Sequence, residues 1–174
     1  MIFGTTTFSF VHVLLSLIGI GSGLVVVGGL LTRRRLDGWT AIFLVTTIAT
    51  SVTGFGFPFV RLLPSHIVGG ISLIVLAVAV FARYGRHLVK PWRSIYVIGA
   101  VTALYFNVFV LVVQLFLKLP SLNALAPTQS EPPFLIAQTA VLALFIAIGV
   151  AAVRRFHPRR VDSIGPPRSR KQPA

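Results

Sequence analysis

Residues 96–118 read YVIGAVTALYFNVFVLVVQLFLK, a run of about 23 residues that is almost wholly apolar. As a helix it is roughly 34 Å long, enough to cross the ~30 Å hydrocarbon core of a bilayer. Its small and polar residues share one helical stripe: Tyr96, Ala100, Ala103, Asn107, Gln114 and Lys118. A helix that is apolar except for one such stripe is typical of a membrane bundle, with the stripe turned toward partner helices.

The composition of the whole chain indicates the same environment. Of its 174 residues 55% are hydrophobic and only 11% charged, with a mean hydropathy of +0.90, whereas soluble domains carry about 25% charged residues. The net charge is +13, but the basic residues flank apolar segments, so we expect no nucleic-acid partner. The chain has no cysteine, which excludes disulfides, thiolate metal sites and cysteine nucleophiles.

Four further apolar segments accompany residues 96–118. Together they predict an all-α integral membrane protein with five transmembrane helices in an up-down bundle. The predicted spans are about 8–31, 39–57, 65–82, 94–117 and 134–153, so residues 1–153 form one transmembrane domain. The link over residues 118–134 holds four prolines, too many for one continuous helix. Residues 154–174 are basic and rich in proline, and are predicted to form a disordered cytoplasmic tail.

Five spans create two sides, and the basic residues are unequally divided between them. The links after spans one and three, together with the tail, hold fourteen Lys and Arg residues, whereas the opposite side holds only Arg61 and Lys118. The positive-inside rule therefore predicts the N-terminus outside and the C-terminus in the cytoplasm. Trp39 and Trp92 then fall at the cytoplasmic interface, where indole rings are favoured. We expect the basic tail to lie on anionic lipids of the bilayer.

In this topology the polar residues of the spans gather near the outer face. His12, His66, Gln114 and Gln138 fall toward the outer ends of their helices, and Glu131 directly precedes the fifth span. Polar and ionisable side chains are costly inside a bilayer and commonly mark function. We therefore predict a binding site in the outer leaflet, with His12, His66, Gln114 and Gln138 as candidate cofactor-binding residues.

Three kinds of ligand suit these residue types, and the sequence does not choose among them. Two imidazoles from different helices can ligate the iron of haem b, one on each face. His12, His66 and Glu131 can instead hold a divalent metal such as zinc or copper. The same imidazoles can also hydrogen-bond a quinone headgroup.

A deeper polar seam is predicted to join the helices rather than to bind a ligand, because threonine and asparagine commonly form interhelical hydrogen bonds. Its members are Asn107, Thr46, Thr50 and Thr53.

Two other functions remain open from the sequence. The proline-rich loop and the glycine pair Gly19 and Gly23 suit an accessory or structural subunit with a membrane-protein partner. Asn107 and the threonines of span two suit a small transporter or channel component. We do not expect a stand-alone enzyme, because Asp37 and Asp162 are predicted on the side opposite the two outer histidines, which separates any Ser-His-Asp triad.

Overall fold

The computed structural model describes residues 7–57 and 64–156, apart from the side chains of residues 64–66. All regular structure in these residues is helical. The helices are α1 (Thr7–Leu31), α2 (Asp37–Gly54), α3 (Pro64–Val80), α4 (Trp92–Lys118), α5 (Pro120–Leu125) and α6 (Pro132–Arg155). A π-helical segment, Phe81–Gly85, continues α3. The predicted all-α bundle is confirmed.

Four helices among the described residues are long and apolar enough to cross a membrane: Thr7–Leu31, Ile67–Gly85, Trp92–Lys118 and Pro132–Arg155. Only 11% of the most apolar window of α6 is buried inside the protein, so most of its apolar surface faces outward, as expected beside lipid. These helices are those of a multi-pass membrane protein. The shorter α2 spans 18 residues and carries several threonines, and a fifth crossing by α2 stays a prediction.

α1 and α2 run antiparallel along their length. Near one end of the pair, the His12 ring reaches Thr53, and further along, Gly23 lies against Phe43. Residue numbers therefore rise along α1 as they fall along α2. The short link over residues 32–36 makes this the expected arrangement.

α4 is the central helix of the bundle, with contacts to α1, α2, α3 and α6. The first half of its small and polar stripe is fully enclosed, since Tyr96, Ala100 and Ala103 are at most 1% exposed. The predicted orientation of this stripe toward the neighbouring helices is confirmed for these three residues. α6 packs against the other flank of α4, with the rings of Tyr105 and Phe145 5.8 Å apart.

The bundle has two ends, which we name the Lys118 end and the Arg83 end. α1, α3 and α6 begin at the Lys118 end, where α2 and α4 finish. In the described part of the chain the Lys118 end carries Lys118 as its basic residue, and the other basic residues lie at the Arg83 end: Arg33, Arg34, Arg35, Arg83, Arg86, Lys90, Arg93, Arg154 and Arg155. The predicted orientation in the membrane stays a prediction. Arg61 and the tail from residue 157 onward lie outside the described residues.

Two local features differ from the predictions. The link after α4 contains the short helix α5, which begins at Pro120 because proline is well suited to the first turn of a helix. Asn123 of α5 donates to the carbonyl of Phe116, 3.2 Å away, and this fastens the link onto the end of α4. In addition, α2 ends at Gly54, short of the predicted boundary at residue 57.

Candidate functional site

A cavity of about 530 Å³ lies between α1, α2, α3 and α4, toward the Lys118 end. Apolar side chains form most of its wall. Its polar lining residues are Ser9, His12, Ser16, Thr50, Ser51, Ser72, Asn107, Gln114 and Lys118. Small-molecule sites are typically about 300–1,000 Å³ in volume and combine an apolar wall with a few convergent polar groups.

The inner end of the cavity is closed where α1 meets α4. A Cβ atom at Gly23 would lie 2.7 Å from Leu104, and one at Gly19 would lie 3.3 Å from the amide nitrogen of Asn107. Glycine at both positions therefore allows close approach of the two helices. On the Lys118 side of this contact, His12 of α1 and Gln114 of α4 both line the cavity.

Part of the cavity wall lies at the surface of the bundle. Val13 and Leu17 line the cavity, yet they are 46% and 50% exposed. In a membrane such side chains face lipid tails.

His12 is held by α2 and by the segment that follows it. Its Nδ1 atom lies 2.8 Å from the Oγ1 atom of Thr53, and the ring of Phe57 meets the imidazole edge-on with centroids 5.1 Å apart. Thr53 in turn donates to the carbonyl of Ala49 at 2.7 Å. The imidazole is thus fixed at the cavity wall by a hydrogen bond and a ring contact.

Polar groups also line the deeper part of the cavity. Ser51 of α2 donates to Ser72 of α3 across 3.2 Å. The Thr50 hydroxyl is buried and has no hydrogen-bond partner among the described residues. Asn107 donates to the hydroxyl of Thr47 at 3.2 Å. A ligand headgroup that reached this depth would meet the second amide hydrogen of Asn107, because only one of the two is donated to Thr47.

Only some residues of the predicted polar seam form hydrogen bonds between helices. Asn107 does join α4 to α2, but it does so through Thr47 rather than through a predicted member. Thr46 donates to the carbonyl of Ile42 in its own helix at 2.7 Å. Thr53 likewise bonds within α2, although it also contacts His12.

The predicted site residues are not all brought together. His12 and Gln114 line the cavity, whereas Gln138 does not. Gln138 is 9% exposed and donates instead to the carbonyl of Phe109, 3.2 Å away, between α6 and α4. The side chain of His66 lies outside the described residues.

Glu131 sits in the loop before α6 and is likewise not a lining residue of the cavity. Its carboxylate accepts hydrogen bonds from the backbone of Thr128 and Ser130 and from the Thr128 hydroxyl. No group of three His, Asp or Glu side chains in residues 7–57 and 67–156 is arranged to hold a metal ion. Because the side chain of His66 lies outside the described residues, the trio His12, His66 and Glu131 stays a prediction.

Sequence reasoning did not single out Ser72, which lines the cavity and bonds to Ser51. Its position three residues after Gly69 is the signal that could have found it, because this spacing keeps two residues on one face of a helix. Gly69 also lines the cavity.

Comparisons with models of known protein families, with curated proteins and with solved structures found no match to this chain.

Proposed function

We propose that this multi-pass membrane protein binds a lipid-soluble small molecule of the quinone class in the cavity between α1, α2, α3 and α4. The observation that carries the proposal is the joint lining by His12, Asn107, Gln114 and Lys118 within a largely apolar wall. An apolar wall suits an isoprenoid tail, and these side chains suit a neutral headgroup with oxygen atoms at opposite ends of a ring. The exposed wall at Val13 and Leu17 supports entry from the bilayer.

The chemistry of the lining favours this ligand over the other two predicted. In the described residues, the ionisable or amide groups at the cavity are imidazole, carboxamide and ammonium, without a carboxylate. Hard divalent cations prefer oxygen ligands, and zinc sites take several imidazole, thiolate or carboxylate ligands. Haem b with two axial histidines requires a second imidazole facing His12. Among the described side chains that line this cavity, His12 carries the single imidazole.

We further propose that the Lys118 end faces the outside of the cell and the Arg83 end the cytoplasm. The concentration of basic residues at the Arg83 end supports this orientation. The ligand site would then lie in the outer leaflet. The accessory-subunit and transporter functions remain predictions.

The proposed function is tested by calorimetry, in which decylubiquinone is titrated into the purified protein held in lipid nanodiscs. Nanodiscs without protein provide the blank for partitioning into lipid. We expect saturable binding in excess of that blank, weakened about tenfold by Gln114→Leu, because a headgroup oxygen loses its hydrogen-bond donor.

His87→Ala is the matched control, since His87 lies in the link between α3 and α4, outside the cavity. It should bind as wild type does, whereas His12→Ala should change the affinity, because the imidazole lines the cavity. Binding no greater than the blank, or binding indifferent to both His12→Ala and Gln114→Leu, would rule the proposal out. The absorption spectrum and metal content of the same sample test the haem and metal predictions.

A further inference from the structure

The hydrogen bonds around Thr53 determine which nitrogen of His12 carries the proton. Thr53 Oγ1 lies 2.7 Å from the carbonyl oxygen of Ala49, and a carbonyl only accepts, so the Thr53 hydroxyl is the donor of that bond. A hydroxyl has one hydrogen. The carbonyl oxygen of Thr50, 3.2 Å from Oγ1, is likewise an acceptor and shares this hydrogen. The contact with Nδ1 of His12 at 2.8 Å is therefore a bond that the imidazole donates and the hydroxyl accepts.

A neutral imidazole carries one hydrogen, so a donor at Nδ1 leaves a lone pair at Nε2. Among the described residues the hydrogen bond of the ring is made through Nδ1 and none through Nε2, and the ring lines the cavity. The site thus presents an acceptor at His12. The other polar groups nearby, the Gln114 amide and the Lys118 ammonium, are able to donate.

We infer that Thr53 is a positioning residue that makes the cavity select the reduced, hydroxyl-bearing form of its ligand. This inference rests on the proposed function, because it specifies the form of the quinone-class molecule that the same cavity takes. A quinol hydroxyl donates to Nε2 of His12, while its second oxygen accepts from Gln114 or Lys118. A quinone presents a carbonyl oxygen to the same lone pair. No hydrogen bond forms between these two acceptors, and the lone pair of the oxygen repels that of Nε2.

The test compares decylubiquinol with decylubiquinone, bound anaerobically to the wild-type protein in nanodiscs. We expect the quinol to bind about tenfold more tightly, which corresponds to one hydrogen bond made in one complex and missing in the other. Neither measurement depends on a variant, so the inference is tested even if a substitution unfolds the protein.

Thr53→Val and Thr53→Ser then separate positioning from damage. Valine removes the acceptor for Nδ1, so the imidazole is free to carry its proton on Nε2 and donate to a quinone carbonyl. We expect the quinol preference to fall toward equality in Thr53→Val, with quinone binding maintained or improved. Serine keeps a hydroxyl that donates to the i−4 carbonyl, so Thr53→Ser should retain the preference.

The outcomes distinguish this inference from the function on which it rests. If both forms bind equally in wild type and Gln114→Leu weakens both, the proposed function stands and the tautomer inference is wrong. The inference is also wrong if Thr53→Val keeps the full quinol preference. If neither form binds above the empty-nanodisc blank, both proposals fail together.

Discussion

Asn107 of α4 donates a hydrogen bond to Thr47 of α2, with 3.2 Å between Nδ2 and Oγ1. Thr47 is fully buried, and Gly19 of α1 lies close to both side chains. Three helices therefore meet at one polar contact. Because lipid offers no competing water, a hydrogen bond of this kind contributes to helix association in a membrane.

Asn107→Leu should destabilise the bundle through the loss of this bond. We expect the free energy of unfolding to fall by about 0.6–1.7 kcal/mol, which lies between the average and the maximum for interhelical hydrogen bonds in membrane proteins. Unfolding by SDS in mixed micelles measures the effect. A double-mutant cycle with Thr47→Val should show coupling, whereas a cycle of Asn107→Leu with Thr102→Val, elsewhere on α4, should be additive. Additivity in both cycles would contradict the assignment.

Gly23 and Gly21 lie two residues apart in α1 and should respond oppositely to alanine. A Cβ at Gly23 would lie 2.7 Å from Leu104 and 2.9 Å from the ring of Phe43, whereas one at Gly21 would meet nothing within 4 Å. Since Leu104 and Phe43 are themselves at most 1% exposed, neither can move aside freely. Gly23→Ala should lower the free energy of unfolding by about 1–3 kcal/mol.

Gly21→Ala is the matched control and should leave the free energy of unfolding unchanged or slightly increased, since alanine has the higher helix propensity. The same SDS titration measures the free energy of unfolding of both variants. Equal destabilisation by the two substitutions would show that α1 does not approach α2 and α4 at Gly23.

Asp37 at the start of α2 forms an ion pair with Arg83 of the π-helical segment. The Arg83 side chain is only 4% exposed, although Asp37 is 71% exposed, and the guanidinium lies 5.2 Å from the ring centroid of Tyr96. Asp37→Asn would leave a nearly buried cation without its counter-charge. We expect the free energy of unfolding to fall by about 1–3 kcal/mol, less than for a pair buried on both sides.

Arg35 supplies the comparison for this ion pair, because it approaches the same carboxylate only to 4.0 Å and is 48% exposed. Arg35→Ala should change the free energy of unfolding by less than about 0.5 kcal/mol, as is usual for surface pairs. An Asp37→Asn protein as stable as wild type would mean that Tyr96 and its neighbours satisfy Arg83 without the carboxylate.

The position of each site residue along its helix is predictable from the sequence. The direction in which its side chain points around the helix axis is less predictable. The sequence predicts His12 and Gln114 at similar depth, and both line one cavity. It predicts Gln138 at that depth too, but the Gln138 side chain donates a hydrogen bond to the carbonyl of Phe109 between α4 and α6. Position along a span follows from counting residues from its end, whereas the face presented to a given neighbour depends on packing between helices.

The same distinction explains the polar contacts of α2. Thr46 and Thr47 are adjacent in sequence, and one residue turns a helix by about 100°. Only the packing of Asn107 against α2 decides that Thr47 is its partner. The buried half of the α4 stripe was predictable because its small residues repeat at helical spacing and allow close approach.

Glu131 offers a prediction about pH. Desolvation is the largest single influence and acts to raise the pKa of this carboxyl, but hydrogen bonds from the side chain and backbone of Thr128, together with the backbone of Glu131 and Ser130, jointly outweigh it. The pKa of Glu131 therefore lies below its ordinary value. The hydrogen bonds from the Thr128 backbone and hydroxyl are 3.1 and 2.8 Å long.

A lowered pKa in the folded protein means that the ionised carboxylate stabilises the loop before α6 at neutral pH. That contribution is present above the ordinary carboxyl pKa and is lost as the pH falls through the lower, folded value. Thr128→Val removes one donor, so the pKa of Glu131 should rise toward its ordinary value. A carbon-13 NMR titration of the glutamate side chain measures the shift directly, because Glu131 is the sole glutamate of the chain. Thr139→Val, on α6 away from this loop, should leave the titration unchanged. A wild-type Glu131 that titrates at the ordinary value would show that the Thr128 and Ser130 bonds do not hold the carboxylate in solution.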